Sequence, residues 1–436
     1  MRRALANVSL RRPAGRNPKH KYFEIKWDQG NEQRVTHRFH PRRIHADDGY
    51  RRHREQRTQN HTPPEPNDER YPSDGGARLI EVQLIGVSST PPPDDEPRPR
   101  LLLAFDKFRG TISAHDLIGQ LNAHFVNVRA DVDTQALSDG GEGFLDAFNG
   151  EVITSVVPGP LGNDVVAPFL LQPSKRGLVA VMTVADIVGY QHLPSPTPRQ
   201  ALDSRSDGVG HLILNAARLG AESVLIGCGG SVTSDGGRGC YEVLQRAGGL
   251  PVPTRVATDV TTSFLGARHY APQKNVSDAD LPLIDARLRE LRARYLQEQG
   301  LDIEILKRGG AAGGIAGALA ALGGTLVDGF DVVSHELNLA SRVNRASTVV
   351  TGEGRFDFGS LEGKATMRIA QLVNDTSRLL VICGQVEPEA ARAFQNQFAK
   401  STFVSLENRF GRASARRDTS LHVAEVIEAF LLLQRE

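Results

Sequence analysis

Four glycine-rich segments hold the residues best suited to chemistry. They are Ser138-Asp139-Gly140-Gly141-Glu142-Gly143, the stretch from Gly227 through Gly229-Gly230-Ser231 and Ser234-Asp235 to Gly237, Gly309-Gly310-Ala311-Ala312-Gly313-Gly314, and Gly352-Glu353-Gly354-Arg355-Phe356-Asp357, which leads on to Gly363-Lys364. Glycine lets a backbone approach a ligand closely and take positive φ. Successive N–H groups at a helix start bind phosphate with the helix dipole behind them. An Asp or Glu beside such a loop can hold Mg²⁺, which bridges phosphate oxygens and keeps several waters. Glycines, hydroxyls and a carboxylate in one loop are therefore what phosphoryl transfer requires, positioning plus charge neutralisation. Each loop alone also reads as an ordinary tight turn; four of them, most with a carboxylate, favour a nucleotide or phosphate site. The familiar phosphate motif is absent: Gly359-Ser360-Leu361-Glu362-Gly363-Lys364-Ala365 is one residue short and ends in Ala. No dinucleotide fingerprint, serine nucleophile elbow or paired metal-binding histidines accompany it.

The elements that must position these loops alternate. Apolar runs at 101–105, 179–184, 223–226, 348–351, 379–383 and 402–406 read as buried strands. Helical spacing covers 114–125, capped by Ser113, and also 208–219, 241–247, 313–322, 361–373, 389–398 and 423–434. Residues 283–299 form a strongly charged surface helix. Strand alternating with helix predicts an α/β fold with parallel sheets covered on both faces. The glycine-rich loops then fall at strand ends, where open α/β sheets bind ligands.

The 436 residues carry 52 Lys and Arg against 51 Asp and Glu, which excludes a uniformly basic nucleic-acid binder. The balance is uneven. Residues 1–100 hold 20 basic and 14 acidic side chains and 12 of the 24 prolines, without helical or strand periodicity. That composition cannot bury enough apolar area to offset its ordering entropy, so residues 1–98 are expected to be a disordered basic extension, with short strand-like pieces at 21–27 and 79–87. No apolar run approaches the ~18 residues of a membrane span, and the N-terminus lacks the apolar core of a signal peptide. Three cysteines without zinc spacing fit a reducing, cytoplasmic setting.

Taken together, in order and spacing, the strings LLLAFDKFRGTISA (101–114), SDGGEG (138–143), PGPLG (158–162), SDGVGHLI (206–213), IGCGGSVTSDGG (226–237), ATDV (257–260), APQK (271–274), GGAAGGIAGAL (309–319), VVTGEGRFD (349–357) and LEGKAT (361–366) resemble the bacterial class I glycerate kinases. The resemblance spans residues 101–436. It implies a discontinuous, doubly wound Rossmann-like domain (99–155 and 300–436) with a second α/β domain inserted at 156–299. It also implies an enzyme that phosphorylates D-glycerate with ATP and Mg²⁺, with 2-phosphoglycerate favoured. A kinase of another small hydroxy acid, or a non-catalytic relative that binds nucleotide or glycerate, is the alternative. Neither nucleic acid nor membrane is an expected partner, and a homodimer is compatible with the pattern.

Roles follow from that resemblance. The glycerate hydroxyl must lose a proton, and Asp139 or Asp235 would take it, the other holding Mg²⁺. Arg355 would clamp the glycerate carboxylate in a planar bidentate pair, with Asp106 and Asp357 beside the substrate. Lys107, Arg109 and Lys364 would neutralise the transferring phosphate. Gly229, Gly230, Ser231, Gly313 and Gly314 would supply backbone contacts to the nucleotide. The string departs from the family pattern at Phe105, where Pro is usual, at Arg109 for Lys, at Ser234 for Asn, at Thr183 for Glu, and in a shortened stretch between Asp259 and Gln273.

Overall fold

The computed structural model describes residues 98–433, except 127, 129, 142 and 176. They belong to one compact unit, Leu79–Glu436. The readings made for residues 1–97 lie outside the described residues. No described helix is long and apolar enough to cross a membrane.

The chain opens with β1 (Arg100–Phe105) and β2 (Asp131–Ala136), which pair in parallel. In β1 every residue after Arg100 is buried. Alternation sends Leu102 and Ala104 to one apolar cluster. Leu101, Leu103 and Phe105 point to another, with Leu117 and Leu121 of the helix Ala114–Phe125 and Val423 and Ile427 of the helix Thr419–Leu432. A strand buried on both faces reads as one continuous apolar run, as this one does.

The chain then leaves this sheet and builds another. Strands β3 (Glu151–Pro158), β4 (Asp164–Ser174), β5 (Gly177–Thr183), β6 (Ser223–Gly227), β7 (Thr254–Thr258) and β8 (Thr325–Asp328) lie side by side in chain order. From β5 to β8 the neighbours are parallel, but β4 runs antiparallel to both β3 and β5. The all-parallel expectation therefore fails at this edge. The links at 159–163 and 175–176 are too short for a crossover, which takes a dozen or more residues, so they can only join antiparallel neighbours.

The chain returns through β9 (Thr348–Gly352), the two-residue β10 (Arg355–Phe356), β11 (Arg378–Cys383), the two-residue β12 (Gln385–Val386) and β13 (Ser401–Ser405). The first sheet has the order β13-β11-β9-β1-β2 and is parallel throughout. β10 and β12 form a separate parallel pair. The breaks expected at 155/156 and 299/300 both fall inside the second sheet's stretch of chain, which runs from Glu151 to Asp328. Neither terminal strand announces itself: β3 leaves Val152 and Val156 exposed, and β8 is four residues long with none buried.

Two helices also differ from their pattern. The run at 313–322 becomes helical only at Ile315, because Ala312, Gly313 and Gly314 all have positive φ. The run at 361–373 breaks into Phe358–Leu361 and Ala365–Leu372 around Gly363, at φ +107°. The charged helix Leu281–Gln299 buries Ile284, Leu288, Leu291 and Tyr295, while Arg289 pairs with Asp285 and Arg294 with Glu298 on its open face.

Candidate active site

Carboxylates follow the ends of strands from both sheets. Asp106 follows β1, Asp139 lies three residues past β2, Glu353 follows β9, and Asp259 follows β7 of the second sheet. The loop holding Asp139 is pressed against the second sheet. A Cβ on Gly229, just past β6, would lie 2.5 Å from Gly141 Cα, so only glycine permits this approach. A Cβ on Gly141 would lie 3.3 Å from Asp139 Oδ1 and 3.8 Å from Asp259 Oδ2, which sets these two carboxylates on either side of one backbone position.

This crowding shows in the acidities. Burial raises the Asp106 carboxyl above its usual range; the Lys107 ammonium pulls it back and Asp139 pushes it up further. At Asp259 lost hydration raises the carboxyl, Asp139 adds to this, and Lys107 and Arg109 oppose it. Glu353 is lifted to about 7, chiefly by burial, with Lys364 opposing and Asp106 reinforcing the rise. Three aspartates are thus coupled through space, with Lys107 and Arg109 among them.

A cavity of about 480 Å³ adjoins the cluster. Asp106, Lys107, Arg109 and Thr111 line it from the loop after β1, and Asp146 from the turn after β2. Pro168 of β4 and Asp186 close it from the second sheet. Phe108, Ile112, Leu137 and Leu145 supply an apolar wall. Arg109 sits in a tight turn: Phe108 N–H donates to Ile112 O at 3.0 Å, and Thr111 and Ile112 N–H donate back to Phe108 O at 2.9 and 3.1 Å.

The remaining candidates divide. Lys107 Nζ lies 3.8 Å from Asp106 Oδ1, inside the cluster. Lys364 Nζ lies 3.7 Å from Glu353 Oε2 and 3.8 Å from Asp357 Oδ1. Arg355 does not line the cavity: its side chain is 65% exposed and its Nε lies 3.3 Å from Asp357 Oδ2. The short β10–β12 pair turns it outward.

Asp235 stands apart from the acidic cluster. It is buried, and its Oδ2 accepts from Ser206 N–H (2.9 Å), Ser206 Oγ–H (2.8 Å) and Gly239 N–H (3.1 Å), while Oδ1 accepts from Gly237 N–H (3.0 Å). Four donor groups thus occupy its two oxygens and tie it to the surrounding backbone. Its loop is stapled to the next by Lys274, only 4% exposed, whose Nζ donates to Ser231 Oγ at 3.0 Å and Thr233 O at 2.6 Å. Burial lowers that ammonium to about 8, and Asp235 partly offsets the fall. A Cβ on Gly313 would lie 2.1 Å from Thr233 O, and Gly236 N–H donates to Gly313 O at 3.0 Å. Close packing of loop on loop accounts for Gly313 and Gly314, and contact with the Asp139 loop accounts for Gly229. None of Gly229, Gly230, Ser231, Gly313 and Gly314 lines the cavity.

Asp259, Glu353 and Lys274 escaped the sequence reading of the site. Glu353 was findable, since it directly follows a run read as a strand, the place where such sheets bind ligands. Asp259 was not, because β7 itself has no apolar run long enough to read.

The family model of the glycerate kinase family matches residues 101–248 and 250–433. The chain is 30% identical over 313 residues to the glycerate 2-kinase of Escherichia coli, covering 63% of this chain and 81% of that protein. It is 30% identical over 322 residues to a glycerate kinase of Haemophilus influenzae, covering 65% and 84%. A crystal structure from Salmonella typhimurium LT2, provisionally designated glycerate kinase 2, superposes with a TM-score of 0.58 at 26% identity, over 77% of this chain and all of that one. With its motifs in order and both sheets matched by a structure of the same kind, the chain belongs to the glycerate kinase family.

Proposed function

We propose that this protein transfers the γ-phosphoryl group of ATP to D-glycerate, with 2-phosphoglycerate as the product. The observation that carries this reading is the meeting of Asp106, Asp139 and Asp259, from strand ends of both sheets, with Lys107 and Arg109 beside one cavity.

Mg²⁺ fits this cluster. Crowded, poorly hydrated carboxylates are relieved by a cation between them. Among the described residues no three His, Cys, Asp or Glu side chains are spaced to hold an ion unaided. That suits Mg²⁺, which takes one or two carboxylates and completes its shell with phosphate oxygens and water. Asp139 and Asp259 would hold it, and it would neutralise charge on the β- and γ-phosphates when bound.

Asp106, whose carboxylate burial makes more basic than usual, would accept the proton of the attacking hydroxyl. As the hydroxyl oxygen bonds to the γ-phosphorus, the bridging oxygen leaves with ADP. Lys107 and Lys364 would stabilise the charge spread over the transferring oxygens. Arg109 is better placed than Arg355 to bind the glycerate carboxylate, because it lines the cavity on a tight turn while Arg355 is paired outside it. Asp235, in this reading, secures its loop and takes no part in the chemistry. An ATP-dependent reaction of this type, together with free cysteines, fits a cytoplasmic enzyme.

The test is turnover by the full chain with ATP, Mg²⁺ and D-glycerate, with L-glycerate and glycolate as controls, the product being identified by NMR. Formation of 2-phosphoglycerate is expected; absence of turnover with D-glycerate sinks the reading. Asp106→Asn is expected to lower kcat at least about 100-fold. Arg109→Gln is expected to raise KM for glycerate while leaving KM for ATP within about twofold, and Arg355→Gln to leave both nearly unchanged.

A further inference from the structure

Glu353 is a buried carboxylate for which the scheme above has no task. It directly follows β9 at the centre of the first sheet. It is 6% exposed, and its Oε1 makes no hydrogen bond of good geometry, the Ser360 and Thr366 hydroxyls only lying near the carboxylate. Its backbone is fixed, since its carbonyl accepts from Gly384 N–H at 3.2 Å. Leaving a buried carboxylate oxygen unpartnered is costly, so packing alone does not explain an acid here. Sites that break local rules in this way are commonly functional.

The other oxygen faces Lys364. At 3.7 Å from Glu353 and 3.8 Å from Asp357, the Lys364 ammonium is held between two carboxylates by charge, beyond hydrogen-bonding distance of either. Its side chain remains 42% exposed, so it has room to turn toward an incoming anion. Lys364 stands at the start of the helix Ala365–Leu372, whose dipole adds to the positive field there. The inner carboxylate is the rigid one: Glu353 is buried, whereas Asp357 is 31% exposed and shares its charge with Arg355.

We propose that Glu353 is a positioning residue for phosphoryl transfer, holding the Lys364 ammonium beside Asp106, where it meets the transferring phosphate. The inference rests on the kinase reading above. The groups facing Glu353 are Asp106 from the end of β1, Lys364 and Thr366 around the helix start, Ser360 from the preceding turn, and the Cys383 thiol at the end of β11. Of these, Lys364 opposes the rise in its pKa most strongly and Asp106 reinforces it, while Cys383 remains a neutral thiol.

The experiment is a double-mutant cycle on the full chain, using Glu353→Gln and Lys364→Met, with kcat and both KM values measured from pH 5.5 to 9. Glu353→Gln keeps shape and removes charge, so the fold is retained; melting temperatures check this. Glu353→Gln is expected to lower kcat at least tenfold with little change in KM for glycerate, and to erase a limb of the pH profile near neutrality. In the Lys364→Met background it is expected to add less than twofold. If the two losses multiply, or if Glu353→Gln keeps kcat and pH profile within twofold of wild type, the positioning role is wrong. If Glu353→Gln unfolds, Lys364→Met alone decides, since full activity there removes the residue that Glu353 is held to act through. A wild-type chain inactive on ATP and glycerate fails the kinase reading instead, an outcome the cycle does not imitate.

Discussion

At the scale of single residues, burial decides which acids matter. Asp139, Asp235 and Asp357 look equivalent in sequence, each within two residues of a glycine in a loop. In the fold they have three different fates: Asp139 joins a cluster of aspartates, Asp235 accepts four hydrogen bonds, and Asp357 lies near two cations at the surface. Glu353 gives a consequence measurable without substrate. Its folded value of about 7 lies above its ordinary 4.5, so between these pH values the folded chain binds more protons than the unfolded one. Stability due to this group is complete at low pH and is lost as pH rises toward 7. Wild type is therefore expected to lose more stability than Glu353→Gln between pH 4.5 and 7, and the two to run parallel above pH 8. Urea denaturation across that range is the check, and parallel curves throughout would refute the burial argument.

At the scale of elements, the glycine-rich loops are held by one another. The segment around Asp235 is gripped from three sides: by Ser206 at the start of the helix Asp207–Arg218, by Lys274, and by Gly313. Tyr295 of the helix Leu281–Gln299 donates from its hydroxyl to Gly236 O at 3.2 Å, so a helix with a highly charged open face backs the loop with its buried side. Gly313 has φ +68° and no space for a Cβ. Gly313→Ala should cost about 1–2 kcal/mol for the left-handed conformation, with further loss from displacing the Thr233 carbonyl. A urea midpoint unchanged from wild type would show that the two loops are not locked as described. The departure at Ser234 belongs here too: its buried Oγ has no partner. Thr183, at another departure, accepts from Ala185 N–H at 2.9 Å, two residues along its own chain.

At the scale of the whole molecule, the two sheets are joined through loops at the ends of their strands and again beyond β8. There Arg368 of the first-sheet side ion-pairs with Asp331, approaches Asp328 to 3.7 Å and lies over the Phe330 ring at 5.2 Å, while Asp328 also pairs with Arg308 at 2.8 Å. A convenient reporter of global opening is the thiol content. Cys228 and Cys240 lie with the second sheet and Cys383 with the first, all fully buried, with burial pushing each thiol's pKa far above its usual value. The native protein is expected to show no fast reaction with a thiol reagent at pH 8, and all three cysteines to react in denaturant. A thiol that reacts rapidly under native conditions would identify a region that opens locally.

The alternation of apolar runs with helical spacing was enough to predict an α/β fold, because burial on both faces of a parallel strand leaves a signature in every consecutive residue, as in Leu101–Phe105. Asp106 and Lys107 were legible as candidates because they directly follow the apolar run Leu101–Phe105, and Asp139 because it stands in a glycine-rich loop. The edge strands β3 and β8 were not, since half-exposed strands carry no continuous apolar run. Nor did the sequence distinguish the surroundings of Asp139 from those of Asp235. Which carboxylate meets donors and which meets other carboxylates depends on distant segments, as with Asp259, 120 residues beyond Asp139. Hydrogen bonding and desolvation set the acidity of a carboxylate, and both are properties of the packed chain.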